Sequence, residues 1–499
     1  MASLSDEVRR ATRLLREFDR GEIDRREFIF LAGSLSAVAI AAACSTGSNN
    51  NAGSNQNATG NNVVPFYTTE NDPGTLAFMA TAIRTFQAAH TNIQVPVNLY
   101  SDGQATSFLE NAFRTKHDVG IFSPNVQTVP GWAQAGYLMQ LDEVVKSIGV
   151  DDFIDGTRIT LNGHDYQIPF QKSATGLWYR KDILEQVGVH SPPTTYDDWV
   201  SVLKMVNGRN GMIGFASGVG GDFAANTQWH LTPFIAQQGW GYYTHDGKLT
   251  FNQPEVFDGI QRFITLMKNY SSKELYNAGV GDPLQAFVTG RAVFADYTGR
   301  VAPNVYDQGT KQIIDGMDFM GAPPAGPFNT GKLNMGFAKG YCIYAGTKAP
   351  KEALSLLQSI TSGDSALMYA LTVPGQPLPP LKSVTQSFLD PNNKTIAANK
   401  YMSKPAFRDV IAKDAALVPF AINDQLQMGA VDNHQYKGIS NVCPWASDAW
   451  KTSGPDTTML QEVLINGKDA KQAWQDASSK LDQAAKTWLS AHKDWKPAA

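Results

Sequence analysis

The first part of the chain alternates between two hydrophobic periods. Residues 63–67, 95–99 and 118–122 have the short apolar or alternating patterns of buried strands, whereas residues 76–86 and 108–113 repeat apolar side chains at helical spacing. The resulting order, strand–helix–strand–helix–strand, predicts a parallel sheet with helices on its faces. Ligands of such sheets bind at the carboxyl ends of the strands.

Two polar loops follow strands of this predicted sheet at that edge. They span residues 69–72 and 122–127. Glu70 and Asn71 lie at the centre of the first loop and carry groups that hydrogen-bond small polar ligands. We therefore expect Glu70 and Asn71 to contribute to a ligand site.

Residues 166–206 contain the most informative pattern of the chain. A strand is interrupted by the polar residues 171–173, which include Ser173, and continues through an aromatic run into a short helix that Gly188 ends. Residues 192–193 are both proline, so that helix cannot continue. Thr195, with an acidic residue three positions later, predicts the start of an amphipathic helix.

Length and composition limit the classes of protein. A chain of 499 residues is too long for one ordinary core, which indicates two or more lobes. Its charge is nearly balanced, with 42 Lys and Arg against 46 Asp and Glu. This balance argues against binding to nucleic acid or to a membrane through a polybasic surface.

Familiar catalytic and metal-binding motifs do not occur. Residues 214–218 have Ala216 where the nucleophile-elbow motif requires serine, and residues 218–221 lack the lysine of a phosphate-binding loop. The 3 cysteines form no CxxC and the 8 histidines no HExxH or HxxxH. The sequence therefore predicts no catalytic residues, no metal and no cofactor.

Residues 1–43 have the layout of an export signal. Arg25 and Arg26 precede an uncharged run, residues 28–43, that falls short of the roughly 20 apolar residues needed to span a bilayer. The arginine pair predicts twin-arginine export. Small residues before Cys44 resemble a bacterial lipobox, whose cysteine would be lipidated. Residues 44–62 lack charge and large apolar side chains, which predicts a flexible tether.

Five motifs in order resemble one family. Tyr166-Gln-Ile-Pro169, Leu177-Trp-Tyr-Arg-Lys-Asp182 and Pro192-Pro-Thr-Thr-Tyr-Asp-Asp-Trp199 are similar to the signature of the maltose-binding-like extracellular solute-binding proteins of ABC importers. Similar family motifs recur at residues 284–300 and in the closing helices, so the resemblance covers nearly all of residues 63–490.

The resemblance implies an α/β, two-lobed, periplasmic-binding-protein-like (type II) fold with a hinge and a cleft between the lobes. It places lobe one at residues 63–171 and 336–385, and lobe two at residues 172–335 and 386–499. It also implies an extracytoplasmic monomer, anchored to the bacterial membrane through Cys44, that is not an enzyme. Such a protein captures a carbohydrate or similar small polar solute and delivers it to the permease subunits of an ABC importer.

The family's ligand contacts map onto specific positions. Trp229 matches an aromatic residue that stacks on a sugar ring, and Arg300 stands where the family often has a stacking tryptophan. Arg300 has three interpretations: hydrogen bonds to ligand hydroxyls, pairing with an acidic ligand, or a bridge to Asp296. The full set of candidate ligand-binding residues is Glu70, Asn71, Phe122, Asn125, Ser173, Trp229, Asp296, Arg300 and Trp445.

Alternatives remain at the residue and the protein level. Phe122 also suits a core position, Asn125 a turn, and Trp229 packing within its own lobe. Cys342 and Cys443 suit either a disulfide or two free buried thiols, and twin-arginine export favours the thiols because such cargo folds in the reducing cytosol. One alternative function is a lipid-anchored carbohydrate-active enzyme that uses carboxylates such as Glu70, Asp118 and Asp296. Another keeps the same fold, with a polyamine, peptide or phosphoester as its ligand.

Overall fold

A computed structural model describes most of the chain after the N-terminal segment. The predicted export and lipidation residues, Arg25, Arg26 and Cys44, lie outside the described residues. The described residues are 62–220, 226–244, 247–423, 443–445, 449–450 and 454–496.

Short strands alternate with helices along this part of the chain. The strands are β1 (Phe66–Thr68), β2 (Val97–Leu99), β3 (Ile121–Phe122), β4 (Ile159–Leu161), β5 (His164–Arg180), β6 (Ile213–Ala216), β7 (Ala292–Thr298), β8 (Met317–Phe319), β9 (Asn334–Ile343) and β10 (Ala421–Asn423). The helices up to β7 are α1 (Pro73–Ala89), α2 (Asp102–Thr115), α3 (Val129–Gln134), α4 (Asp142–Ile148), α5 (Lys181–Gln186), α6 (Tyr196–Val206), α7 (Asn226–Ala236), α8 (Pro254–Tyr270) and α9 (Asp282–Val288). The later helices are α10 (Val301–Gln308), α11 (Lys311–Gly316), α12 (Pro350–Thr361), α13 (Gly363–Ala370), α14 (Lys382–Leu389), α15 (Lys394–Ala398), α16 (Pro405–Ala415), α17 (Pro455–Leu464) and α18 (Ala470–Ala491).

The strands are hydrogen-bonded in the order β2-β1-β3-β9-β5-β7-β6, with β4 and β8 on β5 and β10 on β9. β1 pairs in parallel with both β2 and β3, as the strand–helix order predicts. β6 and β7 are also parallel to each other. We call the part built on β1, β2 and β3 the β1 side, and the part built on β6, β7 and β8 the β7 side.

Two long strands connect these sides. Residues 168–174 of β5 pair with β9, whereas residues 175–179 of the same strand pair with β7. β9 in turn pairs with β3 on the β1 side. The register of β5 against β9 shifts between Pro169 and Gln171, which is expected because proline has no N–H to donate to a ladder. The chain therefore crosses between the two sides along β5 and β9.

Local signals in the sequence explain the neighbouring helices. The predicted apolar stripe of α1 is buried, including Leu76, Met79 and Ile83. At the start of α6, Thr195 Oγ1 accepts a hydrogen bond of 3.2 Å from the backbone N–H of Asp198, as the capping pattern predicts. These elements fix the frame from which the loops at the strand ends project.

The two cysteines of the body are free and buried. Burial raises the pKa of the Cys342 and Cys443 thiols, so both stay protonated and unreactive at neutral pH. Within the described ranges, no group of three or more His, Cys, Asp or Glu residues is arranged to hold a metal ion. No helix within these ranges combines the length and the apolar character needed to cross a membrane.

Candidate functional site

The loops after β1 and β7 meet through an ion pair. Arg300 Nη2 donates a hydrogen bond of 2.5 Å to Asp72 Oδ1, and the side chains are 31% and 29% exposed respectively. Asp72 ends the polar loop after β1, and Arg300 follows the carboxyl end of β7. The suggested bridge from Arg300 to Asp296 is not formed, because Arg300 reaches across to the β1 side instead.

A second set of contacts lies beside this pair. Thr298 Oγ1 donates to Gln376 Oε1 over 2.7 Å, and Ser173 Oγ of β5 donates to the Gln376 carbonyl over 2.5 Å. A side chain at Gly299 would place its Cβ 2.5 Å from the carbonyl oxygen of Gly375. Only glycine therefore permits this approach of the turn after β7 to the connection between α13 and α14.

Glu70 is held on the β1 side by two partners. Lys339 Nζ on β9 lies 3.0 Å from Glu70 Oε1, and the Tyr369 hydroxyl donates to Glu70 Oε2 over 3.2 Å. Burial and then the charge of Glu70 raise the pKa of Tyr369 well above its ordinary value, so the phenol stays a donor. Asn71, the next residue, is exposed. The first polar loop is thus anchored through Glu70 to the strand that crosses between the sides.

Phe122, the last residue of β3, and Asn125, in the loop after it, make the core and loop contacts that were their alternative interpretations. Phe122 is fully buried and packs against Phe113 and Trp132, with ring centroids 5.7 Å and 6.4 Å away. Asn125 Nδ2 donates to Thr106 Oγ1 over 3.0 Å, which ties the loop to α2. Phe122 therefore serves the core of the β1 side.

Trp229 lies where α7 meets the crossing strand β9. Its ring stacks on that of Phe337, with centroids 4.9 Å apart and planes 10° from parallel, and Trp229 is 6% exposed. Thr175 on β5 donates to the Met335 carbonyl over 2.7 Å in the same region. The aromatic face of Trp229 is therefore occupied by a protein ring on at least one side.

Asp296 of β7 forms a buried pair with His230. His230 Nδ1 lies 3.1 Å from Asp296 Oδ2, and both side chains are 0% exposed. Burial raises the pKa of Asp296, and the hydrogen bond from His230 partly opposes that rise. A His Nδ1–H held by a carboxylate fixes the orientation of the ring.

Trp445 packs in a separate aromatic cluster. Its ring contacts Tyr243, Trp488 and Trp495, with centroids 5.3, 5.9 and 5.5 Å away, and it is fully buried. Trp488 belongs to the closing helix α18. This placement gives Trp445 a role in the core beneath α18.

Sequence reasoning missed three partners at the site: Asp72, Lys339 and His230. A signal existed for Lys339, because it is the one charged residue among residues 334–345, which are otherwise mostly apolar or glycine. Asp72 precedes Pro73 and begins a helix, and His230 follows Trp229, but neither position shows which distant residue it contacts. Those pairings depend on tertiary structure.

Residues 68–365 match the family described as bacterial extracellular solute-binding proteins. The Escherichia coli (strain K12) protein YcjN, whose name describes a periplasmic-binding protein of an ABC transporter, is 21% identical over 383 residues, 75% of this chain and 79% of that protein.

Solved structures share the fold at low sequence identity. A solute-binding protein from Agrobacterium vitis S4 with bound D-mannitol has a TM-score of 0.63 and 19% identity, and it covers 85% of this chain and 99% of its own. Maltose-bound MalE3 of T. maritima has a TM-score of 0.65 and 18% identity, and the match covers 84% of this chain and 99% of MalE3. These likenesses show the expected two-lobed α/β fold.

Proposed function

Because the chain belongs to the bacterial extracellular solute-binding proteins, we propose that it captures a neutral, hydroxyl-rich solute, a sugar or polyol, between the β1 side and the β7 side. The loaded protein then delivers this solute to the permease of an ABC importer. The D-mannitol and maltose bound to proteins of the same fold support this ligand class.

The observation that carries the proposal is the meeting of the loops after β1 and β7 at Asp72 and Arg300. In open α/β sheets the carboxyl ends of the strands are where ligands bind. Here such ends from both sides face each other, so a solute held between them would contact both sides only when these are closed. Its preference for the closed form shifts the population toward closure, and closure is the signal a permease can recognise.

The charges at this place favour an uncharged solute. Arg300 is paired with Asp72, and Lys339 with Glu70. A phosphoester would have to compete with a carboxylate for each cation, and a polyamine would have to displace a cation from each carboxylate. Hydroxyl groups, which both donate and accept, can join such pairs without breaking them.

The enzyme alternative has weaker support. The three carboxylates considered for catalysis each have their own partners: Glu70 is bound by Lys339, Asp118 accepts from the backbone N–H of Lys348 over 2.9 Å, and Asp296 pairs with His230. Glycosidases need two carboxyl groups that face one bond of the substrate. We therefore propose stoichiometric binding without turnover.

The place of action follows from the N-terminal sequence. Arg25 and Arg26 support twin-arginine export, and Cys44 after a run of small residues supports lipidation at the membrane. A tether of residues 45–62 would then let the folded part reach both solute and permease. Cell fractionation tests this: the wild type should sediment with membranes, and the Cys44→Ser variant should be released.

A ligand screen tests the proposed binding function. The purified body of the chain, from residue 62 onward, is heated with neutral sugars and polyols, including maltose and D-mannitol, and with sugar phosphates and spermidine. We expect a neutral compound to raise Tm and to bind at one site by calorimetry, with unchanged ligand recovered by chromatography. Stabilisation only by a phosphate or polyamine would overturn the ligand class, and product formation would overturn the binding function.

A further inference from the structure

Asp414 of α16 is a buried carboxyl group without a hydrogen-bond partner. It is 0% exposed, and neither of its oxygens receives a hydrogen bond. A Cβ at Gly299 would overlap Asp414 Oδ2, so the carboxyl group lies directly against the backbone of the turn after β7. Burial raises the pKa of Asp414 well above its ordinary value, because a charge there would lose its hydration. These surroundings therefore favour the neutral, protonated acid.

A segment between α13 and α14 crosses the same turn. We call residues 372–378 the strap. At one end, Thr372 Oγ1 lies 3.1 Å from Thr75 Oγ1 of α1, on the β1 side. At the other end, the Leu378 carbonyl accepts a hydrogen bond of 2.8 Å from the backbone N–H of Lys172 on β5. The strap is therefore attached to the β1 side and to a crossing strand.

The middle of the strap packs on the turn that contacts Asp414. A Cβ at Gly375 would stand 2.6 Å from the carbonyl oxygen of Gly299 and 2.8 Å from Ile411 Cδ1. Gly375 has a φ of +100°, a conformation that favours glycine. Ile411 precedes Asp414 on α16 by about one turn, and both are 0% exposed. The strap, the turn after β7 and α16 thus together keep water from the carboxyl group.

The charged groups around Asp414 have partners of their own. α16 packs on β5, β8 and α10, and the strap contains no ionisable side chain. On α16, β8, α10 and residues 168–180 of β5, and in the turn after β7, the ionisable groups and their partners are Lys172 (the Ala421 carbonyl), Tyr179 and Lys413 (Asp318), Arg180 (Asp182), Arg300 (Asp72), Tyr306 (Lys404), Asp307 (Lys400 and Tyr401), Arg408 (the Met402 carbonyl) and the exposed Asp409 (solvent). Within the described residues, burial rather than a nearby charge therefore raises the pKa of Asp414.

We propose that Asp414 makes the closure of the two sides depend on pH, because closure binds a proton at this carboxyl group and opening releases it to solvent. The inference rests on the proposed function, since it concerns the closure that a bound solute favours. When the sides separate, the strap moves away from Gly299 and Ile411, and water reaches Asp414. The pKa of a hydrated aspartate is about 4, so the pKa of Asp414 is higher in the closed form than in the open form.

The direction of the pH effect follows from this difference. The proton stabilises the closed form fully at pH values below the pKa of the open form. As pH rises toward the pKa of the closed form, this stabilisation is lost, and each pH unit weakens closure by up to about tenfold. Solute binding weakens in parallel, because solute and proton both favour the closed form. The protein thus captures its solute most tightly in acidic surroundings and releases it more readily as pH rises.

Proton uptake during binding tests the inference. The full chain is titrated calorimetrically with maltose or D-mannitol, whichever it binds, from pH 5 to pH 8 in buffers that differ in their heat of ionisation. The wild type should take up a fraction of a proton per bound solute, and its dissociation constant should rise with pH by up to about tenfold per unit. Asp414→Asn keeps the shape of the neutral acid but cannot ionise, so it should lack both this uptake and this rise.

Asp414→Leu is a second variant that cannot ionise, and it should behave as Asp414→Asn does. The control is Asp456→Asn, which replaces a fully buried carboxyl that Tyr242 and Trp450 bind, and which should keep the proton uptake and the pH dependence of the wild type. Uptake that is absent from the wild type, or the same in the wild type and the Asp414 variants, would overturn the inference while the proposed function stands. If the wild type binds neither sugars nor polyols, the proposed function fails and the inference fails with it.

Discussion

At the scale of single residues, two buried carboxyl groups have opposite surroundings. Neither oxygen of Asp414 has a hydrogen-bond partner, and burial raises its pKa well above the ordinary value. Asp456 accepts hydrogen bonds from the Tyr242 hydroxyl, the Trp450 indole N–H and the backbone N–H of Thr457 over 2.9, 3.0 and 2.9 Å. Both residues are 0% exposed, and burial raises the pKa of Asp456 as well, but its hydrogen bonds oppose part of that rise whereas Asp414 has none.

The difference predicts opposite effects of replacement by asparagine. A carboxyl whose pKa is raised by folding binds its proton more tightly in the folded state, so stability falls as pH rises above its unfolded pKa of about 4. Each unit of that rise costs about 1.4 kcal/mol at pH values above the folded pKa. Asp414→Asn should therefore increase Tm at pH 7 more than at pH 4, as scanning calorimetry would show.

Asp456→Asn is the control for that experiment. It keeps the volume but puts an amide where three donors converge, so it should lower the unfolding free energy by about 1–3 kcal/mol. If Asp414→Asn also lowers stability at pH 7, the carboxyl of Asp414 has a stabilising role that its surroundings do not indicate.

The sequence predicts where a residue lies along the elements better than it predicts which residues contact it. Glu70 was expected in the polar loop after the first strand, and the structure places it just after β1. Arg300, chosen through the family resemblance, lies just after β7. Their partners could not be predicted, since Lys339 is 269 residues from Glu70 and Asp72 is 228 residues from Arg300. Likewise, Phe122 and Trp445 are aromatic residues near loops, but packing with other aromatic rings buries them.

At the scale of elements, the pairing of β5 with β9 depends on a glycine. Gly336 lies opposite Ala174, and a Cβ at Gly336 would overlap the carbonyl oxygen of Ser173 and crowd the side chain of Ala421. A backbone atom cannot move aside as a flexible side chain can. Position 336 therefore sets how closely the two crossing strands approach each other.

Gly336→Ala should push β9 away from β5 and lower the unfolding free energy by about 1–3 kcal/mol, the usual cost of overpacking. Hydrogen exchange of β9 should also become faster than in the wild type. Gly281→Ala is the control, because a Cβ there would meet nothing within 4 Å and its φ of −87° suits any residue. Equal stability of the two variants would show that β9 tolerates a side chain at this position.

Elements with a strong local signal were predicted well from the sequence. The helical period gave α1, the capping pattern placed the start of α6, and the short apolar or alternating patterns gave β1, β2 and β3. β8 and β10 were missed. Each has three residues and exists because a neighbouring strand, β5 or β9, offers it hydrogen bonds. Periodicity cannot reveal a strand that depends on its partner.

At the scale of the whole molecule, the Asp72–Arg300 pair joins the two sides. Since both side chains are partly exposed, solvent screens the pair, and its contribution is at most about 1 kcal/mol. Such an energy still changes the ratio of open to closed molecules several-fold. The pair should therefore influence how compact the protein is without ligand.

Arg300→Gln should increase the radius of gyration of the ligand-free protein in small-angle scattering. The wild type should expand in the same direction between low and high salt, because salt screens exposed charges. The exchange of both charges, Asp72→Arg with Arg300→Asp, should restore the compact form at low salt. Scattering curves that coincide for the wild type and Arg300→Gln at low salt would show that the pair does not control closure.

The shared strands also constrain when the protein can fold during synthesis. β3 and β5 leave the ribosome early, but the strand between them in the sheet, β9, is made only after β6, β7 and β8. Until then, the edges of β3 and β5 that later pair with β9 have no partner strand, and unpaired edges can pair with other chains. The β3–β9 and β5–β9 ladders therefore cannot form before residue 343 has emerged, so the sheet is completed late in synthesis.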